Sequence, residues 1–125
     1  MRKANSMDAG WDLVAQHDAV VKFGEITNVS TGVMGDIPAG HYGKIEGRSG
    51  LASKQGIFVL GGVIDAGYEG ELKVTLSRAI GSDSDTGYEI KKGDRIAQLV
   101  VSPLSSYTPN ESNTREEQGF GSSGR

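Results

Sequence analysis

An all-β fold is expected for this chain: a jelly roll or distorted β-barrel of short antiparallel strands with one short helix. Three observations carry that expectation. Apolar residues come in short runs instead of long stretches. Glycine is abundant, 19 of 125 residues against an average of about 7%, and most glycines fall between those runs. No stretch of helical length holds a clear amphipathic period. Short strands separated by turn residues at regular spacing are the pattern of sandwiches and jelly rolls.

The runs follow one another along the chain. Val20-Val21-Lys22-Phe23 is a first strand. Ile37-Pro38-Ala39-Gly40 turns the chain into His41-Tyr42-Gly43-Lys44-Ile45. Ser49 to Gly56 is the helical candidate: Ser49 supplies an N-cap hydroxyl and Gly56 ends the turn in the left-handed conformation. Ile57-Phe58-Val59-Leu60 is apolar enough for a buried strand. Glu71-Leu72-Lys73-Val74-Thr75-Leu76-Ser77 alternates, so Leu72, Val74 and Leu76 share one face and Lys73 and Thr75 point the other way. Tyr88-Glu89-Ile90 and Arg95-Ile96-Ala97-Gln98-Leu99-Val100-Val101 complete the set. Beyond Pro103 apolar residues thin out and Ser, Asn, Glu and Gly take over. Residues 1–104 are therefore expected to form one compact domain, and residues 105–125 a mobile C-terminal arm.

Composition narrows the functions. A net charge of −3 argues against a broad nucleic-acid-binding face. The absence of cysteine excludes disulfides, thiolate metal sites and a cysteine nucleophile. No apolar run is long enough to span a membrane. The opening Met1-Arg2-Lys3-Ala4-Asn5-Ser6 lacks the apolar region of a signal peptide. A soluble protein, cytoplasmic or otherwise intracellular, is expected, with no nucleic-acid or membrane partner.

Five polar clusters interrupt the apolar pattern. Ala9-Gly10-Trp11-Asp12-Leu13 sets a carboxylate between apolar neighbours, which by itself reads as a turn aspartate. Gly47-Arg48-Ser49-Gly50-Leu51-Ala52 brings a cation to a helix start, which serves either an anion or ordinary capping. The run from Gly61 to Gly70 is the richest. Gly61 and Gly62 permit close backbone approach, Asp65 ends a β-branched pair where a carboxylate can hold a water, and Tyr68 offers a ring to a sugar or base. The same run also reads as a solvated hairpin turn. Gln98 lies inside an apolar strand, where its amide either satisfies backbone or faces a site. The end of the chain, Gly119-Phe120-Gly121-Ser122-Ser123-Gly124-Arg125, combines backbone and hydroxyl donors for an anion with one flat ring for a base. Its ordinary reading is a Gly/Ser tail. Arg115 stands among Glu111, Glu116 and Glu117. His17 and His41 are isolated, without metal-ligand spacing, and no Walker A loop is present.

Together and in this order, the five clusters resemble the five motifs of the homotrimeric dUTPase family. The resemblance runs from Ala9 to Gly124 and rests on Ala-Gly-x-Asp-Leu, Gly-Arg-Ser-Gly-Leu-Ala, Gly-Val-Ile-Asp-x-Gly-Tyr-x-Gly, Gly-Asp-Arg-Ile-Ala-Gln-Leu and Arg-x-x-x-Gly-Phe-Gly-Ser-Ser-Gly. It implies a jelly-roll homotrimer whose active sites are shared between subunits and closed by the C-terminal arm. It implies hydrolysis of dUTP to dUMP and pyrophosphate by water attack on the α-phosphorus, which lowers dUTP and supplies dUMP for thymidylate synthesis. Mg²⁺ is the implied cofactor, held by the substrate phosphates without direct protein ligands, with Asp12 reaching it through water.

The residue roles are carried over from the same resemblance. Asp65 activates the attacking water and touches the 3′-hydroxyl. Tyr68 packs under the deoxyribose and leaves no room for a 2′-hydroxyl. Backbone of the strand Leu60 to Ile64, with Gly62 and Val63, reads uracil. Ser49 lies by the α–β bridging oxygen, while Arg48, Gly50 and Gln98 hold phosphate oxygens or water. Lys73 faces substrate. Arg115, Gly121, Ser122 and Ser123 grip the outer phosphates and Phe120 covers the base. The chain departs from the family in its brief N-terminus, as in short viral members, and in Glu116, where a glycine usually follows the arginine. Two other readings stay open at this point. One is a partner-binding regulatory trimer on the same scaffold. The other is a dCTP deaminase-like enzyme, although the position of that family's catalytic glutamate corresponds to Thr75.

Overall fold

The computed structural model describes residues 9–112. Within them run nine strands: β1 Trp11–Val14, β2 Ala19–Val21, β3 Ile26–Met34, β4 His41–Glu46, β5 Ile57–Val59, β6 Val63–Ile64, β7 Glu71–Arg78, β8 Tyr88–Ile90 and β9 Arg95–Pro103. One π-type helical turn, Leu51–Gln55, is inserted between β4 and β5. None of the described helices is long and apolar enough to cross a membrane.

The strands form three antiparallel sheets, ordered β1-β9-β4-β6, β3-β7-β5 and β2-β8. Leu13, Ile45, Ile96, Ala97 and Leu99 from the first sheet join Val29, Ile57, Leu72, Val74 and Leu76 from the second in one buried cluster. Val21 and Ile90 close it from the β2–β8 ribbon. The alternation expected for β7 is present, with Leu72, Val74 and Leu76 buried and Lys73 exposed. The Thr75 hydroxyl donates to Asn28 Oδ1 on β3 at 2.7 Å. Sheets packed through such alternating inner faces are the jelly-roll arrangement.

Two strands were not among the expected runs, while β6 falls within the strand expected from Leu60 to Ile64. β1 is only four residues, Trp-Asp-Leu-Val, too short a run to mark a strand. β3 is long, but Ile-Thr-Asn-Val-Ser-Thr-Gly-Val-Met is largely polar. Its inward face is Val29 and Thr31, and the Thr31 hydroxyl donates to the Leu72 carbonyl at 2.6 Å. A threonine so bonded fills a core position that an apolar pattern does not reveal.

The helical turn also differs from expectation. Gly50, not Ser49, occupies the N-cap position, and no side chain caps the turn. The other end is as expected: Gly56 is left-handed, with φ 66°.

Candidate active site

Pairing across β9 builds the first half of the site. Asp12 on β1 lies opposite Gln98, and Glu46 on β4 lies opposite the same Gln98. Directly opposed residues share a sheet face. The chain leaves β4 through Gly47, so Arg48, Ser49 and Gly50 hang over that face. Asp12, Gly47, Arg48, Ser49, Gly50 and Gln98 line one cavity of about 300 Å³. Asp12 Oδ2 is buried without a hydrogen-bond partner among the described residues. Its nearest ion partner, Arg95 Nη1, is 3.7 Å away. A buried carboxylate oxygen left this way is costly unless a donor arrives, such as a water held by a cation.

A second cavity, also about 300 Å³, is lined by Val63, Ile64, Asp65, Tyr68, Glu71, Leu72 and Lys73. β6 is short because it only bridges to β4, with Val63 opposite Lys44 and Ile64 opposite Gly43. The chain then turns, and the Tyr68 N–H donates to the Asp65 carbonyl at 3.1 Å. The Tyr68 hydroxyl donates to the Glu71 carbonyl at 2.8 Å, which fixes the ring in the cavity wall. Lys73 reaches it from the exposed face of β7.

The expected residues therefore fall into two groups within one chain. Asp12, Arg48, Ser49, Gly50 and Gln98 share the first cavity, and Val63, Ile64, Asp65, Tyr68 and Lys73 share the second. Leu60 and Gly62 line neither. The run Leu60 to Ile64 is not one strand, because β5 ends at Val59 and β6 begins at Val63. The Leu60 N–H is already given to the Thr75 carbonyl at 2.8 Å, and the Gly62 carbonyl accepts from Ile45 at 2.8 Å. Gly62 approaches β4 closely, since a Cβ there would sit 2.7 Å from the Ile45 carbonyl oxygen. Arg115, Phe120, Gly121, Ser122 and Ser123 lie outside the described residues.

Two contributors escaped the sequence reading. Arg95 neutralises Asp12, and the signal was its place in the Gln98 motif. Gly10 leaves room for the Gln98 amide: a Cβ at Gly10 would collide with Gln98 Oε1. Its place beside Asp12 was visible, but its steric role was not. A third and larger cavity, about 510 Å³, continues from Arg48 and Gly50 and gathers Lys54 and Arg95 with the single carboxylate Asp94. That balance of charge suits the outer end of a polyanion.

Comparison with known proteins joins the geometry at this point. The dUTPase family model matches residues 1–124. The deoxyuridine 5′-triphosphate nucleotidohydrolase of Paramecium bursaria Chlorella virus 1 is 46% identical over 123 residues, 93% of this chain and 83% of the viral protein. The enzyme of the same name from Rhodococcus erythropolis is 44% identical over 130 residues, 98% of this chain and 77% of its own length. A variant of the Staphylococcus phage 80alpha dUTPase superposes with TM-score 0.80 at 30% identity, covering 97% of this chain and 89% of that one. A mutant of the dUTPase from phage phi11 of S. aureus, whose structure shows the coordination of a structural Mg(II) ion, gives 0.76 at 29% identity, covering 92% and 90%.

Proposed function

The chain belongs to the dUTPase family, and from that membership we propose that it hydrolyses dUTP to dUMP and pyrophosphate at sites completed between the subunits of a homotrimer. The observation that carries this reading is the division of the site residues. One cavity has what a phosphate chain needs, namely Arg48, the Ser49 hydroxyl and the Gln98 amide. The other has what a nucleoside and a hydrolytic water need, namely a carboxylate, an aromatic ring and a lysine. Neither cavity suffices alone, and a substrate spanning two chains uses both.

In this reading Asp65 takes a proton from water as the water oxygen attacks the α-phosphorus. The bond from that phosphorus to the α–β bridging oxygen breaks, and pyrophosphate departs with the negative charge. Ser49 donates to the bridging oxygen as that charge grows. Arg48, Gly50 and Gln98 keep the chain of phosphates in line with the attacking water. Tyr68 lies against the deoxyribose and excludes a 2′-hydroxyl, while Val63 and Ile64 border the base. Residues 105–125 act as an arm, with Arg115, Gly121, Ser122 and Ser123 on the outer phosphates and Phe120 over uracil.

Asp12 would hold Mg²⁺ through water, since its Oδ2 is buried without a hydrogen-bond partner among the described residues. A lone carboxylate among the cavity's lining residues is too few to cage a divalent ion, so the substrate phosphates would carry it. When bound, the ion offsets phosphate charge and clamps the triphosphate. The dUMP product serves thymidylate synthesis, and free nucleotide as substrate sets the enzyme's place inside the cell, cytoplasmic or otherwise.

Pyrophosphate and ammonia release across dUTP, dCTP, dTTP and UTP, with Mg²⁺ and with chelator, tests the assignment. Turnover confined to dUTP and dependent on Mg²⁺ is expected. Deamination of dCTP, or no turnover of any nucleotide, overturns it.

A further inference from the structure

We infer that Gly35 and Gly70 form a slot that positions the Tyr68 ring and thereby sets the rejection of ribonucleotides. Gly70 belongs to the Gly-Val-Ile-Asp-x-Gly-Tyr-x-Gly run, but Gly35 lies outside every one of the five motifs. The inference rests on the proposed role of Tyr68 against the sugar.

Neither glycine has a positive φ, so backbone conformation does not require glycine at either position. Space does. A Cβ at Gly70 would stand 2.6 Å from Tyr68 Oη and 2.9 Å from Cζ. A Cβ at Gly35 would collide with the Tyr68 carbonyl oxygen and lie 3.0 Å from its ring at Cδ2. The two glycines are tied together, since the Gly35 N–H donates to the Gly70 carbonyl at 2.9 Å. The Tyr68 hydroxyl is held from a third side by the Glu71 carbonyl at 2.8 Å.

A bulge in β3 brings Gly35 to this place. Ser30 faces Lys73 and Met34 faces Glu71, so four steps along β3 correspond to two along β7. The extra residues are folded out at Gly32, which is left-handed with φ 74°. Its N–H donates to Glu71 Oε2 at 2.8 Å. Such bulges re-aim the chain that follows. Here the chain that follows is Gly35, packed under the Tyr68 turn. Gly35 acts through Tyr68 and is a positioning residue, not one that touches substrate.

A ring held this tightly keeps the space beside C2′ closed, and a ring that swings opens it to a hydroxyl. kcat/KM for dUTP and for UTP is measured in the full chain for Tyr68→Ala, Gly70→Ala, Gly35→Ala and the double variant Gly70→Ala with Tyr68→Ala. Each glycine variant is expected to lower the dUTP-to-UTP ratio by about tenfold or more. In the Tyr68→Ala background, Gly70→Ala is expected to have no further effect on that ratio. If Tyr68→Ala narrows the preference but the glycine variants do not, the slot is overturned and the reading of Tyr68 stands. An undiminished effect of Gly70→Ala in the double variant also overturns the slot, since the glycine would then act without the ring. An unchanged ratio in Tyr68→Ala removes the premise and the inference with it. Gly35→Ala must displace backbone, so where it fails to fold, Gly70→Ala decides alone; its collision is with the far end of the Tyr68 side chain, not with backbone.

Discussion

Gly10 and Gln98 show how closely single side chains are fitted around the cavity that Asp12 and Arg48 line. A Cβ at Gly10 would collide with the Gln98 amide oxygen and lie 3.0 Å from its Cβ. Gly10→Ala is therefore expected to push Gln98 out of line and to lower kcat by roughly ten- to a hundredfold, the usual cost of an ångström-scale misplacement. Circular dichroism and the thermal midpoint should change little beside that loss. Asp65→Asn separates chemistry from binding. It is expected to lower turnover by about a hundredfold or more, while a non-hydrolysable dUTP analogue still binds in calorimetry. Turnover above about a tenth of wild type contradicts a proton-accepting role. The candidate side chains themselves were legible, because carboxylate, hydroxyl, amide and ring stand out against apolar neighbours. Gly10, Gly35 and Arg95 were not legible as contributors. The two glycines act by empty space, and the arginine by an ion pair across two strands that are far apart in sequence.

Across strands, the same contrast holds. β7 announced its inward face because Leu72, Val74 and Leu76 alternate with polar residues. β3 did not, since a bonded threonine and a glycine bulge replace the apolar pattern. The clamp on the helical turn was equally hidden. Arg78, at the end of β7, donates to the Gln55 carbonyl at 3.1 Å and to Gln55 Oε1 at 3.3 Å. The same guanidinium meets Asp85 Oδ2 at 3.3 Å, in the loop before β8. It thus ties β7 to the turn that follows Ser49 and Gly50. Arg78→Ala is expected to destabilise the fold by about 1–3 kcal/mol from the abandoned Gln55 groups, read as a lower urea midpoint. Asp85 adds a pH dependence. The Gly87 N–H, at 2.7 Å, and then Arg78 hold its carboxyl below the ordinary range. A folded-state pKa that is depressed gives stability that is complete above the unfolded value, about 3.9. That stability is lost as pH falls through the folded value. Asp85→Asn should therefore be less stable than wild type at neutral pH. The gap between their urea midpoints should narrow below about pH 4, and a constant gap from pH 7 to 3 would count against the linkage.

The assembled protein is where the division of the site has its sharpest consequence. If each site draws Ser49 and Gln98 from one protomer and Asp65 and Tyr68 from its partner, two dead variants can repair each other. Ser49→Ala spoils only the phosphate-side half, and Asp65→Asn spoils only the nucleoside-side half. In a cyclic trimer every phosphate-side half meets exactly one neighbouring nucleoside-side half, so random mixing at equal dose leaves about one junction in four with both halves intact. Co-expressed and co-purified, the two variants are expected to show about a quarter of the wild-type rate per site, although each alone is nearly inactive. Light scattering should report a trimer in all three preparations. A site built within a single chain gives a different result, because every chain in the mixture then carries one lesion and activity stays at the level of the separate variants. Removing residues 115–125 probes the remaining part of the same assembly. The truncated chain is expected to remain a trimer with an unchanged thermal midpoint, and to lose most of its turnover because the phosphates are no longer enclosed. A truncated chain that dissociates or unfolds would instead make that segment part of the scaffold, and the complementation result would then be the only one of the two that reports on how the sites are shared.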